Sequence, residues 1–175
     1  MGEGRVLVID TSALIAGYEP IRERGEHYTV PEVLEELRDS MARLRLQTAL
    51  ETGKLKISKP DERFREEAMR VAEETGDLTA LSPADLSLLA LALQLRETKG
   101  EVTLLTEDYS VQNVAHRLGI EYVSLATMGI SRGILWVTYC PGCRRTYEEP
   151  VPGGVCPICG TRLRRKPLKK SRVEK

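Results

Sequence analysis

All four cysteines of this 175-residue chain fall in one short stretch, Cys140-Pro-Gly-Cys143 and, after a twelve-residue insert, Cys156-Pro-Ile-Cys159-Gly. Two such turns can wrap opposite faces of one tetrahedral ion, and soft thiolates select zinc over magnesium or calcium. The spacing predicts a closed, structural four-thiolate Zn²⁺ site, with Gly142 and Gly160 placed where each turn needs left-handed or crowded backbone. Two disulfides would need an oxidising compartment, and two redox pairs a thioredoxin-like setting. The sequence opens on no secretory leader pattern, so zinc and a cytoplasmic location are expected. No apolar run approaches the roughly 18 residues of a membrane span, so no membrane partner is expected.

Formal charge is zero, with 26 basic and 26 acidic residues, yet the balance is polarised. Residues 140–175 carry ten Lys/Arg against three Asp/Glu, a net +7, which leaves −7 for residues 1–139. Four thiolates on a +2 ion trim the C-terminal segment to about +5, still a patch suited to phosphates.

Ahead of the cysteines, short apolar runs alternate with amphipathic stretches. Arg5 to Ile9, His27 to Val30, Lys54 to Ser58, Val102 to Thr106 and Glu121 to Leu125 read as strands. Between them, helices are predicted from Thr11, from Pro31 through Met41 to about Leu50, from Asp61 to Thr75, from Leu86 to about Glu97, and from Ser110 to Leu118. The alternation implies a three-layer α/β/α domain with a central parallel sheet over residues 1–125. A linker over 126–133, a zinc ribbon over 134–165 and a basic tail over 166–175 complete the expected organisation.

In an open parallel sheet, ligands bind beyond the carboxyl ends of the strands, and three acids stand there. Asp10 ends the first strand, Asp108 follows the strand ending at Thr106, and Asp85 lies in the first turn of the most apolar helix. Each could be a helix cap, Asp85 in a capping box with Ser82. Together they would repel one another without a cation to relieve them. Helical phase adds Glu36, on the flank of an apolar stripe of Val33, Leu34, Leu37, Met41 and Leu44, while Glu32 and Glu35 point further toward solvent. Four carboxylates without a catalytic histidine suggest metal-assisted hydrolysis of a phosphodiester. His27 and His116 are not placed as ligands. Strand one lacks the glycine-rich turn of a dinucleotide fold.

The segments Val-Ile-Asp10-Thr-Ser-Ala, Val-Pro-Glu-Val-Leu-Glu-Glu36-Leu-Arg, Leu-Ser-Pro-Ala-Asp85 and Leu-Leu-Thr106-Glu-Asp108 resemble the acidic motifs of PIN-domain ribonucleases. Taken with Thr75-Gly-Asp77, Thr106-Glu-Asp108-Tyr-Ser-Val-Gln112-Asn113-Val and the four-cysteine ribbon, nearly the whole chain is similar to the archaeal endonucleases that mature the 3′ end of small-subunit (16S) ribosomal RNA. The resemblance implies single-stranded precursor rRNA in a pre-ribosomal particle as substrate, Mg²⁺ or Mn²⁺ at Asp10, Glu36, Asp85 and Asp108, and hydrolysis leaving a 3′-hydroxyl. It also implies hydroxyls near the metal at Ser12 and Thr106, an RNA-docking ribbon, and a KH-domain assembly factor as partner. Glu107 stays open between a solvent-facing role and a second metal. A toxin-type PIN nuclease acting on other RNA, a non-catalytic RNA-binding assembly factor, and a zinc-ribbon DNA-binding or transcription factor are the competing readings.

Overall fold

The computed structural model describes residues 5–125, 134–147 and 151–170. The sheet is built from β1 (Val6–Ile9), β2 (Glu26–Thr29), β3 (Leu55–Ile57), β4 (Val102–Leu105) and β5 (Glu121–Val123). All neighbours are parallel, in the order β3-β2-β1-β4-β5. Every residue of β1 and β4 is buried, as their unbroken apolar runs require. The helices are α1 (Thr11–Ile15), α2 (Pro31–Glu36), α3 (Ser40–Glu51), α4 (Glu62–Thr75), α5 (Pro83–Lys99) and α6 (Tyr109–Leu118). They cover both sides of the sheet, α1 packing on α3 while α4, α5 and α6 pack on one another. Chain order reverses between β1 and β4, which opens a crevice at the carboxyl ends of those two strands.

α5 is buried almost continuously from Ser87 to Leu93, as its leucines on all sides predict. Gly76 and Gly119 end α4 and α6 in the left-handed conformation, at φ 77° and 69°.

The single helix expected from Pro31 to Leu50 is two. Leu37 turns extended at ψ 109° and is fully buried, and Asp39 then opens α3 by accepting a 2.7 Å hydrogen bond from the Ala42 amide. The break resets the helical phase. Met41 and Leu44, assigned to the buried stripe, are 57% and 58% exposed.

The C-terminal sheet is antiparallel, with β6 (Ile134–Tyr139) between β7 (Thr146–Tyr147) and β8 (Arg164–Lys170). Residues 166–170, expected in a tail beyond the ribbon, belong to β8 and pair with β6. The expected linker over 126–133 lies outside the described residues.

Candidate active site and zinc site

Asp10 emerges from β1 into the crevice, only 5% exposed, with its amide donating to the Leu105 carbonyl of β4. It holds the N-cap position of α1 without capping it. Its Oδ2 instead accepts two hydroxyls, Ser12 Oγ at 2.6 Å and Thr106 Oγ1 at 2.7 Å. Each hydroxyl also accepts a backbone amide from the loop after β4: Ser12 from Glu107 at 2.9 Å, Thr106 from Asp108 at 3.1 Å. Two hydroxyl relays thus tie the carboxylate to the loop that carries Asp108. The fully buried Gln112 steadies that loop from α6, donating to the Thr106 carbonyl at 3.0 Å.

Asp85 and Asp108 do cap their helices. Ser82 and Asp85 form a reciprocal capping box, the Ser82 amide donating to Asp85 Oδ2 at 2.7 Å and the Asp85 amide to Ser82 Oγ at 3.2 Å. Asp108 Oδ1 accepts the Ser110 amide at 2.6 Å and the Val111 amide at 3.3 Å. These bonds leave lone pairs on both carboxylates. Burial, followed by the charges of Asp10 and Asp108, pushes Asp85 up to about 6. Burial also raises Asp10 above the ordinary carboxylate range, with Asp108 adding to it against the hydrogen bonds of Ser12 and Thr106. Asp10, Asp85 and Asp108 therefore feel one another's charge. Asp10 is buried and Asp85 half-buried while Asp108 is exposed, and carboxyls placed so can hold a hard divalent cation.

Glu36 follows β2 on the same edge of the sheet but is exposed on the last turn of α2. Glu32, expected to face solvent, instead turns inward. Its Oε1 accepts Ser87 Oγ of α5 at 2.8 Å and lies 3.7 Å from Arg65, and its Oε2 is buried without a hydrogen-bond partner. A stripe calculated across a helix break misplaced it. Glu107 points to the end of β5, where its carboxylate accepts Ser124 Oγ at 2.6 Å and the Leu125 amide. His27 is buried against the Tyr18 hydroxyl at 2.9 Å, and burial lowers its pKa. His116 packs edge-on against Tyr122.

The four cysteine Sγ atoms lie within 4.8 Å of one another. Sγ separations of 3.3 Å for Cys140–Cys159 and 3.6 Å for Cys143–Cys156 approach the ~3.8 Å edge of a tetrahedron with Zn–S bonds of about 2.3 Å. The two turns are built alike. The Arg144 amide donates to the Cys140 carbonyl and the Gly160 amide to that of Cys156, with Arg144 at φ 63° and Gly160 at φ 71°. Gly142 is needed for room, since a Cβ there would stand 2.5 Å from Thr161 Oγ1. Arg144 was not foreseen, because nothing in its residue type signals a left-handed backbone.

Also unforeseen was the seam between the two sheets. Asp77, fully buried after α4, accepts Asn113 Nδ2 of α6 at 2.6 Å and the Arg165 guanidinium of β8 at 3.0 Å. The same guanidinium donates to the Gly76 carbonyl and lies 5.0 Å over the Trp136 ring. Gly76 is abutted by β6 so closely that a Cβ would meet the Trp136 carbonyl oxygen at 2.5 Å. The sequence marks Thr75-Gly-Asp77 and Gln112-Asn113 as segments of the resemblance, but nothing in it pairs them with one another or with Arg165.

Fold and site together define a ribonuclease of the PIN-domain class: the sequence model of the family described as the PIN domain of ribonuclease matches residues 7–95. The endoribonuclease Nob1 of Methanocaldococcus jannaschii is 42% identical over 171 residues, covering 98% of this chain and 82% of that protein. The Nob1 endoribonuclease of Methanothermobacter thermautotrophicus is 44% identical over 91% of both chains. A more distant relative, the 20S-pre-rRNA D-site endonuclease of Schizosaccharomyces pombe, is 32% identical over 51% of this chain and 23% of its own length. The chain belongs to the Nob1 endoribonucleases of the PIN-domain family.

Proposed function

We propose that the chain is a divalent-metal-dependent endoribonuclease that cuts single-stranded precursor rRNA to produce the mature 3′ end of small-subunit (16S) rRNA. The observation that supports the chemistry is the placement of Asp10 past β1, Asp108 past β4 and Asp85 in the first turn of α5, where burial and then the charges of Asp10 and Asp108 push Asp85 up to about 6. In this reading Asp10, Glu36, Asp85 and Asp108 hold Mg²⁺ or Mn²⁺. Such an ion, when bound, orients the phosphodiester and activates a water. Asp10, fixed by Ser12 and Thr106, is the least mobile of the four and sets the ion's place; Glu36, exposed, swings in with substrate.

The name of the fission-yeast relative supports pre-rRNA as the substrate class, and the sequence likeness of the whole chain to archaeal Nob1 proteins supports the same role. Cys140, Cys143, Cys156 and Cys159 hold Zn²⁺, and the basic ribbon docks RNA. The reading extends to a nuclease unit over 1–125, a linker over 126–133, a ribbon over 134–165 with a basic tail to 175, and cytoplasmic action on a pre-ribosomal particle aided by a KH-domain factor. The test is to incubate the zinc-loaded protein with RNA spanning the small-subunit 3′ end, with and without Mn²⁺, and map product ends. One principal Mn²⁺-dependent cut ending in a 3′-hydroxyl is expected. Absence of cleavage, or equal cleavage of unrelated RNA, would retire this assignment.

A further inference from the structure

The chain has six tyrosines, one tryptophan and one phenylalanine, and all but one are engaged within the fold. The hydroxyls of Tyr18, Tyr28 and Tyr147 are hydrogen-bonded to His27, Glu26 and Cys156. Tyr122 packs against His116, and an arginine or lysine lies over each ring of Phe64, Trp136 and Tyr139. Tyr109 is different. Its side chain is 53% exposed, and among the described residues no hydrogen bond or ring contact holds it.

Its place gives that exposure meaning. Tyr109 is the first residue of α6, directly after Asp108, and consecutive Cα atoms stand about 3.8 Å apart. The Cα–Cβ bonds of a helix tilt toward its N-terminus, so a side chain at the first position leans toward the end that carries Asp108. The backbone there is fixed: Asp108 Oδ1 accepts the Ser110 and Val111 amides, and the Asp108 amide donates to Thr106 Oγ1. A tyrosine turns about only two side-chain torsions, so on a fixed mount it loses little freedom when a flat ligand settles on it.

We propose that Tyr109 is a stacking platform for one base of single-stranded RNA, beside the phosphodiester held at the acids. The inference rests on the RNA substrate proposed above. Residues 1–139 carry a net −7, so charge repels a phosphate strand from this module and gives no help in seating it. Stacking on a ring needs no charge and accepts any base, since each has a π-face. A platform next to Asp108 therefore supplies what a distant basic surface does not: it fixes which nucleotide lies beside the carboxylates. It also favours single strands, because a duplex base must first leave its own stack.

The experiment uses the full-length, zinc-loaded protein without Mg²⁺ or Mn²⁺ and RNA spanning the small-subunit 3′ end, with 2-aminopurine placed at one position after another. Stacking on a ring quenches this fluorophore, so one position should darken on binding. Tyr109→Phe keeps the ring and should keep the quench. Tyr109→Leu keeps apolar area without a π-face; it should abolish the quench and weaken binding about tenfold, with the salt slope unchanged because no phosphate contact is lost. Removing the base at that position should cost the parent as much and cost the Leu variant nothing further. Equal quenching by the Leu variant, additive losses for variant and missing base, or loss of the quench in Tyr109→Phe would each overturn the proposal. Stacking with these signatures but no cleavage of any RNA would retire the nuclease reading and leave the platform standing. Cleavage at one principal site with no position quenched would retire the platform alone.

Discussion

The nuclease module and the ribbon are stabilised by different physics. The first buries a continuous apolar cluster running from Val6 to Ile120. Among the described residues of the ribbon, only Val137, Cys140 and Cys156 are buried. A sheet with so little apolar interior cannot offset its chain entropy by the hydrophobic effect, which leaves that part to the Zn²⁺ proposed at the four cysteines. The difference teaches that one chain can carry two kinds of cooperativity, joined where Arg165 pairs with the buried Asp77 and Gly76 abuts Trp136.

The strongest way to break that contrast is to remove the zinc. Binding of Zn²⁺ supplies about 10–16 kcal/mol in comparable small sites. Chelation or Cys140→Ser should therefore abolish amide protection in β6, β7 and β8 while β1 to β5 stay protected. The nuclease module should lose only about 2 kcal/mol, because Asp77 keeps Asn113 but loses the charged donor Arg165. Simultaneous loss of protection in both sheets would show that they fold as one unit.

The acidic site should behave in the opposite way, losing chemistry without losing structure. Asp10→Asn removes a metal ligand in the proposed reading, and cleavage should fall by at least about a hundredfold while RNA affinity stays level. Because Asp10 does not cap α1, the variant has no cap to lose, and its metal-free form should be slightly more stable than the parent. Parental cleavage rates in this variant would defeat the site assignment.

Dependence on pH separates the modules by sign. Asp85 is raised to about 6, so between about pH 4 and 6 the folded protein binds more protons than the unfolded chain. Stability of the metal-free nuclease module should then fall as pH rises through that window, by about 2 kcal/mol allowing for its partial exposure, and Mn²⁺ should flatten the dependence. The ribbon needs thiolates, so its zinc-held stability should rise with pH over the same range. Module-resolved hydrogen exchange would show two opposing slopes; parallel slopes would contradict the assignment of Asp85 as a crowded acid.

The smallest effect sharpens the comparison inside the ribbon. Arg144→Gly relieves a left-handed strain and Gly160→Ala creates one, each worth about 1 kcal/mol, or about fivefold in zinc affinity, with opposite signs. Competition with a chromogenic chelator reads both.

Much of this was legible because it is local. Apolar runs place each strand of the parallel sheet within two residues of where it lies, and the paired Cys-x-x-Cys turns bring four thiols together as their spacing requires. The places of Asp10 just past β1, Asp108 just past β4 and Asp85 in the first turn of α5 were legible from the strand and capping patterns. What escaped was either a competition between near-equal local choices or a contact distant in sequence. Nothing in Leu37-Arg38-Asp39 forbids a continuous helix; burial of Leu37 decided against it, and Glu32 and Glu36 exchanged environments as a result. β8 reads as a charged tail because its pairing with β6 depends on backbone rather than side-chain pattern. The Asp77–Arg165 pair spans 88 positions, and no periodicity reports it.

The ladder between β1 and β4 has a consequence for heat and entropy. Asp10 sits one residue beyond a register in which Ile9 faces Leu105, its own amide bonded to that strand, so two hydrogen-bonded backbones fix its place before any ion arrives. Cation capture in the crevice then orders almost nothing and buries almost no apolar surface, so its heat-capacity change should be close to zero. Zinc uptake by the ribbon, which must fold as it binds, carries a negative one. The same calorimeter, run at several temperatures, would separate an ion that finds its seat from an ion that makes it.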